Sequence, residues 1–330
     1  MLTLVVIVIA IALLFDFLNG MNDAANSIAT IVATGVLPPK IAVAWAAFFN
    51  FVAAFGLGVK VAKTVGKGIV DVSVVDPWLV LAALTAAIVW VWICTWLGLP
   101  ISVSHALIGG LAGAGFAKAG TGALIVGGLV KVALFIVIAP MIGLVLGFLL
   151  MVAVQWVFRD AEPYRVDGLF RVGQLLSSAA YSLGHGLNDA QKTMGIIAAL
   201  LFSAGYLEGE FYVPVWVIFA SYSVIALGTL VGGWKVIRTM GMRLTRLRPV
   251  GGFCAETAGA CSILMSSALG IPVSTTHTIA GAIAGVGSVR RASAVRWSVA
   301  SEIVVAWVLT LPTSALVAAL AWWLIAWLRG

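Results

Sequence analysis

An eighteen-residue segment occurs twice in this chain. Gly98-Leu-Pro-Ile-Ser-Val-Ser-His-Ala-Leu-Ile-Gly-Gly-Leu-Ala-Gly-Ala-Gly115 returns as Gly270-Ile-Pro-Val-Ser-Thr-Thr-His-Thr-Ile-Ala-Gly-Ala-Ile-Ala-Gly-Val-Gly287, identical at eight of eighteen positions with an offset of 172. Upstream of each copy lies a second matched pair. Asn19-Gly-Met-Asn-Asp-Ala-Ala-Asn-Ser27 returns as His185-Gly-Leu-Asn-Asp-Ala-Gln-Lys-Thr193, offset by 166. Two pairs in the same order mark an internal duplication, so the chain must build two like halves. The first is expected over 1–158 and the second over 172–330, joined by a polar linker at 159–171. That linker sets three Arg against two Asp and one Glu and reads as a solvated loop.

The medium in which the halves fold follows from composition. Hydrophobic residues are 62% of the chain and charged residues 9%, with a mean hydropathy of +1.15. A soluble domain carries about a quarter charged residues. Apolar runs at 1–15, 78–99, 122–158, 213–234 and 297–328 approach or exceed the length of a spanning helix. Allowing for breaks, about ten to twelve spanning or half-spanning segments are expected. The runs are continuous rather than alternating, which argues against a β-barrel. Met1–Phe15 has no basic leader region and reads as a retained helix rather than a cleaved signal. The expected class is an all-α polytopic membrane protein, multi-pass in a cell membrane.

The net charge of +7 does not imply nucleic acid, because the basic residues lie between apolar runs. Cys94, Cys254 and Cys261 sit in apolar segments without ligand spacing and read as packing residues. Orientation is argued from the remaining charge. Around the second repeated segment stand Lys235, Arg238, Arg243, Arg246, Arg248, Arg290, Arg291 and Arg296. The matching places in the first half hold Lys60, Lys63, Lys67, Lys118 and Lys131, opposed by Asp71 and Asp76. The imbalance favours opposite orientation of the halves, hence two inverted-topology repeats with broken helices and re-entrant hairpins.

Pro100 and Pro272 interrupt long apolar runs and are expected in first helical turns, followed by the helix-starting residues Ser102, Ser104, Ser274, Thr275 and Thr276. Each motif therefore reads as a helix N-terminus placed inside the membrane. Free N–H groups and the positive dipole end suit an anion there, and hydroxyls add donors without charge. Two such ends facing each other fit a tetrahedral oxyanion. His105 and His277 read as proton carriers or ligands, or as hydrogen-bonding groups that hold the hairpin shape.

Asp23 and Asp189 follow apolar helical runs, where an ionised carboxylate is costly. Gly20 and Gly186 precede them and would permit local unwinding. With Asn22 and Asn188 they suggest a hard-oxygen site for Na⁺, or a proton site. Lys192 could supply positive charge to an anion, pair with Asp189, or snorkel. Glu256 is buried by pattern and has Leu84 at its repeat position, so the halves differ there; a functional role is expected. Glu302 reads as structural. Asp16, near a membrane centre by sequence, is left between facing a lysine and facing a cavity.

These motifs resemble those of the PiT-type (Pho4) inorganic phosphate transporters. The carrying residues are Gly20-Met-Asn-Asp-Ala-Ala-Asn-Ser27, His185-Gly-Leu-Asn-Asp-Ala-Gln-Lys-Thr-Met-Gly195, and the Pro-x-Ser-x-x-His elements at Pro100–His105 and Pro272–His277. The resemblance implies inverted repeats, re-entrant hairpins, a homodimer, and Na⁺ or H⁺ symport of phosphate, with no cofactor beyond the coupling ion. It implies that Asp23, Asn26, Asp189, Gln191 and the hydroxyls after Pro100 and Pro272 line the path. Asn50 stands where some eukaryotic members carry a glutamate, which removes one carboxylate. Some bacterial relatives carry sulfate, the alternative substrate. Two other classes compete with this reading. A simple pore is disfavoured by paired intramembrane carboxylates. A hydrolase using Ser274, His277 and Glu256 is disfavoured because no Gly-x-Ser-x-Gly elbow is present, so no enzyme is expected.

Overall fold

Proline and glycine set the helix boundaries. Pro39, Pro77, Pro163 and Pro249 each open a helix, where a missing N–H costs nothing. Gly98 (φ 76°) and Gly270 (φ 69°) turn the chain out of two helices through the left-handed region. The computed structural model describes residues 1–56, 58–289 and 291–329; Leu57, Arg290 and Gly330 lie outside the described residues, and Arg290 is one of the charges counted above.

Among the described residues there are twelve α-helices and no β-strand. The first half holds α1 (Leu2–Ala33), α2 (Pro39–Val52), α3 (Lys60–Gly68), α4 (Pro77–Leu97), α5 (Val103–Ala119) and α6 (Val126–Val157). The second holds α7 (Pro163–Ser203), α8 (Val215–Val231), α9 (Trp234–Arg238), α10 (Pro249–Ala268), α11 (Thr275–Ser288) and α12 (Trp297–Arg329). The two sets match in order. Interior prolines add a further matched pair, Pro140 in α6 and Pro312 in α12.

Among the described residues, four helices are long and apolar enough to cross a membrane alone: α1, α4, α6 and α12. Bent pairs add up to two more; α8 and the segment Trp234–Arg243 meet at 66°. Helix α7 has 41 residues, ample length at 1.5 Å per residue, but its buried polar residues lower its hydropathy. The outer faces of α6 and α12 leave Val130, Leu134, Val137, Val305, Leu309 and Leu320 exposed, a surface suited to lipid.

The halves are interlocked rather than side by side. The hairpin helix α5 packs chiefly on α12, and α11 chiefly on α6, so the last helix of each half covers the hairpin of the other. Likewise α1 packs on α8, and α7 on α2 and α3. Small residues permit this closeness. A Cβ on Gly113 of α5 would stand 2.0 Å from the Ala315 carbonyl oxygen of α12. The matching Gly285 of α11 meets the Leu144 carbonyl of α6 at 2.1 Å.

Three expectations change. Most of the 159–171 stretch is helix, because Pro163 starts α7; only its first residues form a turn. Gly20 and Gly186 lie inside unbroken helices and serve close packing instead of unwinding. A Cβ at Gly20 would meet the Ile225 carbonyl at 2.1 Å, and one at Gly186 the Asn50 carbonyl at 2.7 Å. Pro100 and Pro272 stand two residues before the N-caps Ser102 and Ser274, outside the first helical turn. Lys60 and Lys235, counted above as orienting charges, stand at helix ends. Lys60 Nζ donates to the Ala268 carbonyl at 3.0 Å, and Lys235 Nζ to the Trp96 carbonyl at 2.8 Å, where the negative dipole end of a hairpin helix attracts a cation.

Candidate functional site

The centre lies where α1 and α7 cross the tips of both hairpins. Asp23 on α1 and Asp189 on α7 are both buried. Lys192, one turn beyond Asp189, is buried too, and its Nζ donates to Asp189 Oδ1 at 2.5 Å. The same ammonium donates to Ser104 Oγ on α5 and to the Val273 carbonyl at 2.9 Å, just before α11. One cation thus ties Asp189 to both hairpin tips, and the lysine does not snorkel.

The α11 tip meets Asp23. Thr276 Oγ1 lies 3.3 Å from Asp23 Oδ1, and Thr275 Oγ1 lies 3.4 Å from Asp23 Oδ2 and 3.3 Å from Asp189 Oδ2. Asn26 Nδ2 donates to Thr276 Oγ1 at 2.9 Å and to Thr275 Oγ1 at 3.2 Å. Tyr181 holds the tip from behind, its hydroxyl donating to the Thr275 carbonyl at 3.0 Å. Ser102 and Ser274 cap their helices, each Oγ accepting from the backbone N–H of His105 or His277 at 3.2 Å. The two imidazoles meet edge to face with centroids 4.9 Å apart, and His277 stacks on Trp307 at 3.8 Å. The tips therefore converge, the hydroxyls of Ser104, Thr275 and Thr276 meeting the Asp23–Asp189–Lys192 cluster.

Other expected residues lie at its edge. Gln191 Oε1 accepts from the backbone N–H of Val61 and Ala62, and its Nε2 donates to the Gly58 carbonyl, so its amide anchors the start of α3. Asn22 Nδ2 donates to Thr95 Oγ1 at 2.7 Å, and Asn188 Nδ2 to Ser267 Oγ at 2.9 Å; each ties its helix to the end of α4 or α10. Glu256 stands apart, outside the central cluster. Its carboxylate accepts from Thr30 Oγ1 (2.5 Å), Ser177 Oγ (2.6 Å) and Gln174 Nε2 (3.0 Å).

His185 is a central residue to which sequence reading assigned no role, although it belongs to a quoted motif. It is fully buried, with Nε2 3.3 Å from Asp189 Oδ2 and 3.8 Å from Asp23 Oδ2. Its Nδ1 lies 3.2 Å from Asn50 Oδ1, and Asn50 Nδ2 donates to Thr229 Oγ1 at 2.9 Å. Because an amide oxygen can only accept, His185 Nδ1–H donates to Asn50 while the Asn50 NH2 group is held by Thr229. Potential ligand atoms of Asp23, His185 and Asp189 lie within 4.8 Å of one another, close enough to surround one cation. The centre thus sets two carboxylates against one ammonium, with an imidazole between and donor-rich helix ends alongside.

A family model described as the phosphate transporter family matches residues 19–318. A probable low-affinity inorganic phosphate transporter of Rhizobium meliloti (strain 1021) is 58% identical over 320 residues, covering 97% of this chain and 96% of the relative. One of Bacillus subtilis (strain 168), described in the same words, is 42% identical over 98% of each chain. A solved structure described as the sodium-dependent phosphate transporter superposes with a TM-score of 0.88 at 27% identity, covering 98% of this chain and 99% of the other.

Proposed function

Since the chain belongs to the phosphate transporter family, a family of transporters and not of enzymes, we propose that it moves inorganic phosphate by cation-coupled symport across a prokaryotic plasma membrane. The observation that carries this reading is the bridging of Asp189, Ser104 and the Val273 carbonyl by Lys192 at the junction of both hairpin tips. Phosphate would take donors from Ser102, Ser104, Ser274, Thr275, Thr276, Lys192 and Asn26, with Gln191 holding the neighbouring wall. The coupling cation would sit on Asp23 and Asp189, with Asn22 and Asn188 behind them.

Coupling follows from charge. Two buried carboxylates face the incoming oxyanion, and a bound Na⁺ or proton would offset their charge and free hydroxyl donors from them. The sodium dependence named for the solved relative supports Na⁺. The matched order of the two halves and their exchanged hairpin covers support opposite orientation in the membrane. A homodimer is the proposed assembly.

Proteoliposomes loaded to impose either a Na⁺ or a pH gradient, with labelled phosphate outside and sulfate as competitor, test the reading. Concentrative phosphate uptake that collapses with one of the gradients is expected. Gradient-independent flux would overturn symport, and uptake of sulfate in preference would replace the substrate.

A further inference from the structure

Helix α1 carries another carboxylate, Asp16, that plays no part in the chemistry above. It lies seven residues, two helical turns, before Asp23 and therefore on nearly the same face of α1, about 10 Å away along the axis. Its relative exposure is 0%, and among the described residues neither Oδ1 nor Oδ2 has a hydrogen-bond partner. It forms no ion pair among the described residues, since Lys192 is engaged by Asp189. The side chains of Asn19 and Thr193 lie beside it, one from the next turn of α1 and one from α7. Both are buried, at 2% and 1% exposure, and Asn19 Oδ1 and Thr193 Oγ1 are likewise without partners.

Two packed helices thus bring the Asp16 carboxylate against an amide and a hydroxyl whose oxygens have no partner among the described residues. A lone ionised carboxylate does not persist in a membrane interior without a positive charge on it. A proton on one Asp16 oxygen, shared with Asn19 Oδ1 while the Thr193 hydroxyl donates to the other, is the competing occupant that the infrared band below reports. A metal ion engages all of these oxygens together. The atoms of the set that can accept a cation are all oxygens, which selects a hard cation. One carboxylate balances one positive charge, which selects a monovalent ion.

We propose that Asp16, Asn19 and Thr193 form a Na⁺-class cation site distinct from the Asp23–Asp189 centre. It has no carboxylate counterpart in the other half. The position matching Asp16 is Ser182, whose hydroxyl donates to the Ser178 carbonyl at 2.8 Å. The site therefore breaks the repeat symmetry and adds a single ion rather than a pair.

Equilibrium binding of radioactive sodium to the purified full-length protein tests it. Asp16→Asn is expected to remove one bound Na⁺ per chain at saturation, or to weaken one site at least tenfold, while Asp23→Asn leaves that ion in place. Thr193→Val keeps the carboxylate and the volume, covers the case in which Asp16→Asn fails to fold, and is expected to weaken the same site about tenfold by losing one ligand. Unchanged Na⁺ number and affinity in a folded Asp16→Asn or Thr193→Val protein would overturn the proposal. So would a carboxylic C=O infrared band, lost in Asp16→Asn, that persists in the wild type at saturating Na⁺. The outcomes are separable from those above: proton-driven phosphate uptake without Na⁺ binding would end this proposal and leave phosphate transport standing.

Discussion

Asn26 on α1 donates to Thr276 Oγ1 on α11 across 2.9 Å, although 250 positions separate the two in sequence. The repeat partners of these residues are Lys192 and Ser104, and they make the matching bond. In each half, the residue three beyond the motif aspartate reaches the hairpin tip of the other half. One half does so with a neutral amide and the other with an ammonium, so the same geometry carries different charge.

That difference makes Lys192 the first residue to test. Lys192→Met should abolish phosphate uptake and destabilise the protein by about 3–5 kcal/mol, because Asp189 is left buried without its cation. Combining it with Asp189→Asn should recover much of the melting temperature and none of the uptake. Thermal melts in detergent alongside liposome uptake check both halves of the expectation.

Asp23→Asn and Asp189→Asn should each abolish coupled uptake while the protein still inserts. Their stabilities should differ. Asp189 binds Lys192 at 2.5 Å, whereas the Asp23 carboxylate has hydroxyl neighbours at 3.3–3.4 Å and an imidazole at 3.8 Å. Asp189→Asn is therefore expected to melt lower. Near-normal concentrative uptake by either variant would defeat the coupling role.

Ser104→Ala and Thr276→Ala, at matched places on the two tips, should each weaken phosphate binding about ten- to a hundredfold, the worth of a hydrogen bond to a charged acceptor. Ser102→Ala and Ser274→Ala should in addition lower stability by about 1 kcal/mol each through loss of an N-cap. Direct binding to purified variants separates the two effects. A change confined to one tip would mean a one-sided anion site.

Glu256→Leu installs the residue that the first half has at this place, Leu84. It strands the donors of Thr30, Ser177 and Gln174, at about 1–3 kcal/mol for each group left buried without a partner. Glu256→Gln keeps an acceptor oxygen and should cost clearly less. Comparing the two melting temperatures checks this.

Gly113→Leu and Gly285→Leu should each prevent tight seating of a hairpin helix on the other half's last helix, since even a Cβ at these positions lies 2.0–2.1 Å from a carbonyl oxygen. Loss of the monodisperse detergent-purified protein is the expected result. Overpacking of one methyl group alone, Gly113→Ala, should cost about 1–3 kcal/mol.

The sequence alone was enough to establish the membrane medium, the duplication, the two hairpin tips and the paired Asn-Asp motifs. These depend on local patterning: apolar length, a proline that breaks a run, a hydroxyl that starts a helix. Which motif meets which tip depended on chain crossing, and only the tertiary structure decided it. Asn26 could not be matched to Thr276, nor Lys192 to Ser104, because the pairing runs between halves. The same crossing turned Gln191 toward the start of α3 and brought Asn50 to His185. It also explains Gly20 and Gly186: a glycine's reason for being in a helix is the backbone packed against it, and that neighbour comes from far along the chain. Asp16 was legible as a costly acid, but its lack of a basic partner and the two unpartnered oxygens beside it exist only once α1 lies against α7.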